Sequence, residues 1–289
     1  MEYLPADLRA DIATVPQVVR TVFVECDAWY RELGPEHLRV VGETDWVVEN
    51  ADPFVEGIVG TGDLRLGGRA EEMLHAHVAA GSGRFRGIRQ RATWDGDPAI
   101  RPSDPDPGPG LLLDLAFRQG FEVLHSLGLS FDAWMYFQQL PDLVDLARTY
   151  PEATIVLNHL GAPITIGPYG DREATHAMWR ELMTEVATCE NVVLKVGGIG
   201  MPMYGSTWHK ASTQPGPDEV AAAWGDSIRF CIDAFGPDRC MFESNFSVDK
   251  ISISYATLWA AFDQVSADYS PAERAALFHD TAASAYRLP

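Results

Sequence analysis

The chain has 289 residues, 46% of them hydrophobic, with 22 Lys and Arg against 41 Asp and Glu for a net charge of -19. So acidic a protein lacks the basic footprint that a phosphate backbone requires, which excludes nucleic acid as a partner and leaves solubility as the plain reading of the charge. No run approaches the roughly eighteen apolar residues that cross a bilayer, so no membrane span is expected.

Met1–Pro5 lacks the basic start and apolar core of a signal peptide, and a cytoplasmic location is expected. Cys26, Cys189, Cys231 and Cys240 are scattered without a Cys-x-x-Cys pair. They read as reduced, mostly buried thiols, and a zinc–thiolate site is not expected.

In chain order, Tyr3–Ile12 reads as the tail of a βα loop followed by a helix. Seven apolar, β-branched segments then recur: Val18–Cys26, Val55–Val59, Phe85–Gln90, Leu129–Met135, Thr154–Asn158, Asn191–Val196 and Cys240–Asn245. Amphipathic stretches lie between them, at Arg69–Ala80, Leu115–Leu127, Pro141–Tyr150, His176–Thr188, Asp218–Phe235 and Tyr255–Val265. Thr154–Leu157 and Val192–Leu194 are continuously apolar, as parallel strands covered on both faces are. Strands alternating with helices of this length imply βαβ units and a parallel sheet in one domain over residues 1–289. Gly128, Pro151 and Gly236-Pro237 stop helices before strands, and Asp218 could cap the helix after Pro217. Asp95–Gly110 is a loop rich in Pro, Asp and Gly. Seven strands are one short of a closed (β/α)8 barrel, and the first strand is expected to be missing from this chain. An open nucleotide-binding sheet is the alternative, but Gly81-Ser82-Gly83 precedes a strand and opens no helix.

Four segments carry a resemblance: Phe85-Arg86-Gly87-Ile88-Arg89, Phe131-Asp132-Ala133-Trp134, Ile155-Val156-Leu157-Asn158-His159-Leu160-Gly161 and Gly236–Phe246. In order and spacing they are similar to the amidohydrolase-2 family, which includes 2-pyrone-4,6-dicarboxylate lactonase and related decarboxylases. The resemblance implies a distorted TIM barrel with its site at the C-terminal ends of the strands. It also implies a divalent metal such as zinc, held by a His-x-His on the first strand and an Asp on the last. This chain departs at both places. It has no such first strand, and the last strand reads Glu243-Ser244-Asn245-Phe246-Ser247, so an amide stands where a proton-accepting acid would be.

His159 ends an apolar strand and is followed by a turn, where an imidazole can ligate a metal, polarise a carbonyl or shuttle a proton. His75 and His77 do not replace the missing pair, because residues two apart on a helix point about 200° from each other. Arg89 is suited to grip a substrate carboxylate, or to a salt bridge with a neighbouring acid, with Gln90 and Arg91 beside it. Asn245 could hydrogen-bond a substrate, and Asp249 is the nearest ionisable replacement for the missing acid. Glu243 alternates with Asn245 and would face inward, with Lys195 or Arg89 as its partner. Gly197–Lys210, with Tyr204, Trp208 and His209, reads as a flap over the substrate, and Tyr136 could line the same mouth, while Trp134 reads as core. His37, His125, His176 and His279 read as structural, and no serine or cysteine nucleophile motif is present.

By the resemblance, the chain is expected to be a hydrolase acting on a lactone or similar ester of a small carboxylated compound. His159 would polarise the carbonyl, Arg89 anchor the carboxylate, Asp249 deliver water and Asn245 orient the substrate. A metal-dependent decarboxylase of the same fold is one alternative. A catalytically silent barrel that binds a ligand or partner is another, and its unpaired edges invite a homo-oligomer. A further reading is that the natural start lies upstream of Met1.

Overall fold

All seven apolar segments become strands in the computed structural model, which describes residues 2–51 and 53–289. They are β1 (Thr21–Val24), β2 (Val55–Thr61), β3 (Phe85–Arg91), β4 (Ser130–Trp134), β5 (Ile155–Leu157), β6 (Val192–Val196) and β7 (Cys240–Phe242). Each is parallel to the next, in the order β1 to β7. The sheet curls into a half-barrel, and among the described residues β7 and β1 are not paired. The helices are α1 (Pro5–Ile12), α2 (Val41–Asn50), α3 (Ala70–Ala80), α4 (Leu115–Ser126), α5 (Leu140–Thr149), α6 (Arg172–Ala187), α7 (Pro217–Phe235), α8 (Tyr255–Val265), α9 (Pro271–Ala275) and α10 (Thr281–Ala285). This is the α/β, TIM-barrel-like arrangement expected from alternating strand and helix patterns.

Strand alternation divides the apolar residues into two bodies. Outward-facing residues such as Ile58, Ile88, Phe131, Ile155 and Leu194 pack under the helices in the main core. Inward-facing Val59, Val156 and Met241, with Val22, Val24 and Val193, form a smaller cluster around Ala285 and Tyr286. The chain end therefore plugs the curled sheet from the N-terminal ends of the strands. Leu288 reaches Gly57 at the start of β2, and Arg287 Nη2 donates to the Arg86 carbonyl at the start of β3 (2.7 Å).

Three sequence expectations change. The helix before β2, α2, has no counterpart in the apolar pattern, because its buried face includes Gly42, Glu43 and Thr44 beside only two valines. The α7 N-cap is Gly216 with Pro217 at N1; Asp218 sits in the first turn, where Oδ1 accepts from Gln264 Nε2 (2.9 Å). The last strand ends at Phe242, three residues earlier than its apolar run suggested, and Asn245 already has φ of +51°. At the N-terminus, α1 docks beside α8, and Lys250 Nζ binds Asp11 Oδ2 at 2.7 Å. Among the described residues no helix is long and apolar enough to cross a membrane.

Candidate active site

Above the apolar plug the inward-facing positions become charged. Register places Arg89 of β3 beside Asp132 of β4, and Lys195 of β6 beside Met241 of β7, with Glu243 following two residues on. Asp132, fully buried, binds Lys195 Nζ at 2.7 Å and accepts from Asn158 Nδ2 (3.0 Å) and the Tyr286 hydroxyl (2.9 Å). Arg89 donates through Nε to Glu25 Oε1 (2.8 Å) and through Nη2 to the Glu25 carbonyl (2.6 Å). Arg91 also lies against Glu25, at 3.5 Å, and pairs with Asp27. A desolvated ring of alternating charge thus lines the C-terminal end of the half-barrel.

His159 stands on this ring in an unusual backbone. His159, Leu160, Gly161 and Ala162 all have positive φ, between +49° and +62°. Such a left-handed run is costly for L residues and persists only when its surroundings over-determine it. Tyr204 donates its hydroxyl to the His159 carbonyl (2.8 Å), and Trp179 Nε1 donates to the Leu160 carbonyl (2.8 Å). Glu243 Oε1 accepts from both His159 N (3.1 Å) and Nδ1 (2.5 Å). The Trp134 ring stands edge-on to the imidazole, 4.6 Å between centroids. The segment leaving β6 passes close behind: a Cβ on Gly197 would lie 2.3 Å from Glu243 Cγ, and one on Gly198 2.8 Å from His159 Cβ.

Electrostatics fix the protonation of the pair. Burial alone would raise the Glu243 carboxyl, but His159, Lys195 and Arg89 together hold it below the usual carboxylate range. Burial pulls His159 below its ordinary value against the attraction of Glu243, and Arg89 and Lys195 pull it in the same direction. The ionised carboxylate can only accept, so Nδ1 carries the ring proton and Nε2 keeps its lone pair. Among the described residues nothing hydrogen-bonds Nε2. An imidazole with its tautomer fixed by a carboxylate and its second nitrogen free is chemically a general base.

The Amidohydrolase family model matches residues 31–288, nearly the whole chain. The chain belongs to the amidohydrolase family. A protein of Sinorhizobium fredii, y4mH, of uncharacterised function, is 34% identical over 288 residues, covering 99% of this chain and 86% of its own length. An L-fucono-1,5-lactonase of Burkholderia multivorans is 27% identical over 250 residues, covering 86% of this chain and 77% of the lactonase. Among solved structures, a Burkholderia multivorans amidohydrolase crystallised with bound zinc superposes with a TM-score of 0.77 at 23% identity, covering all of this chain and 89% of the other. At that identity the likeness speaks for the fold.

Within this amidohydrolase the predicted site residues separate. Arg89 and His159 both lie close enough to Glu243 to lower its proton affinity, and the Arg89 charge also lowers that of His159. Gln90 faces the opposite side of β3; its Oε1 accepts from Leu64 N (2.8 Å) and its Nε2 donates to Asp63 (2.9 Å), so it anchors the loop after β2 and not a substrate. Tyr204 is fully buried, because its hydroxyl is committed to the His159 turn. The first half of Gly197–Lys210 is accordingly packed, not a free flap. Tyr136 is buried with its hydroxyl on the Arg101 carbonyl (2.6 Å). His209 lies on a short 3-10 turn, Trp208–Lys210, and its Nδ1 is buried without a partner among the described residues.

Asp249 does not fit the delivery of water. It is fully buried, Oδ2 accepts from Gly200 N (2.9 Å), Oδ1 accepts from Asn245 Nδ2 (2.7 Å), and burial pushes its carboxyl up to about 8. Asn245 is turned onto Asp249, four residues along the same loop. Trp134, read as core, borders the imidazole, and the partner of Glu243 is His159 where Lys195 or Arg89 had been expected. Glu25 and Tyr286 were not anticipated. Glu25 closes an apolar strand at the same end as Arg89, a signal that was readable. Tyr286 gave none, because its role depends on the chain end folding back under the sheet.

The metal implied by the resemblance finds no ligand set. Among the described residues no three His, Cys, Asp or Glu side chains gather as they would around an ion. His159 Nδ1 is held by Glu243 and both Asp249 oxygens are occupied, so the residues present do not fit a divalent cation and no step is routed through one.

Proposed function

We infer that this amidohydrolase opens a lactone, or a comparable ester, of a small carboxylated compound, with His159 as the base that activates water. The observation that carries the reading is the Glu243–His159 contact, which leaves Nε2 unprotonated at the charged end of the half-barrel. Nε2 takes a proton from water as its oxygen bonds to the carbonyl carbon. The carbon–oxygen ring bond then breaks, the proton on Nε2 passes to the departing alkoxide, and the product is a hydroxy acid. Arg89 Nη1, unpaired among the described residues, and Arg91 supply positive charge for a substrate carboxylate. The lactonase named among the relatives supports an ester ring as substrate.

The test is a pH-stat assay against a panel of sugar-acid lactones and pyrone carboxylates, with and without prior dialysis against a chelator. Turnover of at least one lactone, equal in both preparations, is expected; no hydrolysis of any of them would overturn the reading. The pH profile carries a sign. The base works only when neutral, so kcat/KM falls as pH drops through the His159 pKa. Burial, Arg89 and Lys195 lower that pKa, so the acid limb should lie below the usual histidine value of about 6.5, with activity flat between there and neutrality. An acid limb centred above 7 would remove His159 from the role.

A further inference from the structure

At the opposite end of the half-barrel, where the strands begin, lies a concavity of about 510 Å3 whose lining includes Val55, Glu56, Arg84, Arg86, Arg287 and Pro289. Three arginines in one small space stand out in a chain with 22 Lys and Arg against 41 acids. Their hydrogen bonds go to main-chain oxygens. Arg84 donates to the Val55 and Val48 carbonyls (3.0 and 3.1 Å), Arg86 Nη1 to the Gly83 and Phe85 carbonyls (2.7 and 3.1 Å), and Arg287 Nη2 to the Arg86 carbonyl (2.7 Å). The Arg86 Nε–H is buried with no partner among the described residues. The one acidic side chain of the lining, Glu56, lies 3.3 Å from a fourth arginine, Arg20, which also donates to the Pro289 main-chain oxygen. Among the described residues no carboxylate pairs with Arg84, Arg86 or Arg287.

The backbone adds a second sign. Arg287 follows α10 with φ of +49°, while Arg287 N donates to the Ser284 carbonyl and Leu288 N to the Ala283 carbonyl. This is the left-handed helix end that glycine occupies without strain. An arginine there brings strain, and what it adds is a guanidinium beside Arg86; its own burial and then the repulsion of Arg86 lower the proton affinity of Arg287.

We propose that this arginine-lined concavity binds a small anion carrying at least two negative charges, of the phosphate or polycarboxylate class. The volume suits a compact metabolite, and guanidinium forks suit planar or tetrahedral oxyanions. Such an anion would satisfy Arg86 and offset the Arg86–Arg287 repulsion. It would also pin the chain end whose Tyr286 reaches Asp132 in the charged ring.

Thermal unfolding of the full chain would be followed against orthophosphate, against citrate and against sodium chloride at matched ionic strength. A saturable rise in Tm is expected with phosphate, citrate or both, and the arm that responds identifies the class. Arg287→Gly, which removes the guanidinium and suits the positive φ, should abolish the saturable rise, whereas Arg91→Gln at the other end should keep it. If Arg287→Gly does not fold, equilibrium dialysis of wild type and Arg86→Gln with radiolabelled phosphate or citrate decides, with at least tenfold weaker binding expected for the variant. No saturable response in either arm, or the same response in Arg287→Gly, overturns the proposal, as does equal binding by Arg86→Gln.

Discussion

His159→Ala should lower kcat/KM for the best lactone by about a hundredfold or more, the usual range for a lost general base, and leave KM close to wild type. The imidazole is placed to take a proton, while the groups suited to hold a carboxylate are Arg89 and Arg91. The fold should survive, because Glu243 keeps the His159 backbone N–H as donor and Lys195 and Arg89 as neighbouring charges. Glu243→Gln should fall by a similar order for a different reason. The neutral amide no longer fixes the proton on Nδ1, so the ring can present Nε2–H to the substrate. Glu243 also raises the proton affinity of His159, so its loss should move the acid limb of the pH profile to still lower pH. Because the carboxylate acts through the imidazole, the double variant should be no slower than His159→Ala alone. Steady-state kinetics with a circular-dichroism melt of each variant would check this. Single-variant losses under threefold, or losses that multiply in the double variant, would dissociate the pair from catalysis.

The half-barrel was legible because its strands are short apolar runs bounded by Gly and Pro. Ile155–Leu157 and Val192–Val196 could hardly be anything but covered parallel strands. Helices whose apolar face is continuous, such as α5 and α7, were equally plain. What periodicity could not supply was pairing across the barrel. Glu243 could be placed facing inward from alternation with Met241, yet its partner lies 84 residues away. The contact forms where His159 itself takes a positive φ at the start of a left-handed turn, which no periodicity announces. The glycines behind it, Gly197, Gly198 and Gly200, were a usable signal of close approach, but they read more simply as the start of a loop. Asp249 misled because a carboxylate near the end of the last strand matches the chemistry wanted there, and only its packing against Gly200 reveals that no substrate reaches it. The distinction between a base and a buried anchor lies in solvent access, which sequence does not carry.

Asp132→Ala should be the most destabilising single change at the charged ring. Asp132 and Lys195 are both almost wholly buried, 0% and 4% exposed, and 2.7 Å apart. Removing the carboxylate leaves the ammonium in a desolvated setting with only the Tyr286 ring, 5.6 Å away, and the charge of Glu243, already shared with His159 and Arg89, for compensation, and strips an acceptor from the Tyr286 hydroxyl and the Asn158 amide. Breaking one side of a buried pair costs about 3–5 kcal/mol, which for a chain of this size is a fall in Tm on the order of 10 °C. Lys195→Met should be milder, because Asp132 keeps two neutral donors. The double variant should recover about 1–3 kcal/mol relative to the sum of the singles, since no unpaired charge remains. Calorimetric melts of the four proteins measure this directly, and a loss below about 1 kcal/mol in Asp132→Ala would mean that water reaches Lys195. The same cycle reports on chemistry. Lys195 lowers the proton affinity of His159, so Lys195→Met should shift the acid limb of kcat/KM upward, opposite to Glu243→Gln. Movement of the limb in opposite directions by two charges of opposite sign is what an imidazole base seated between them requires.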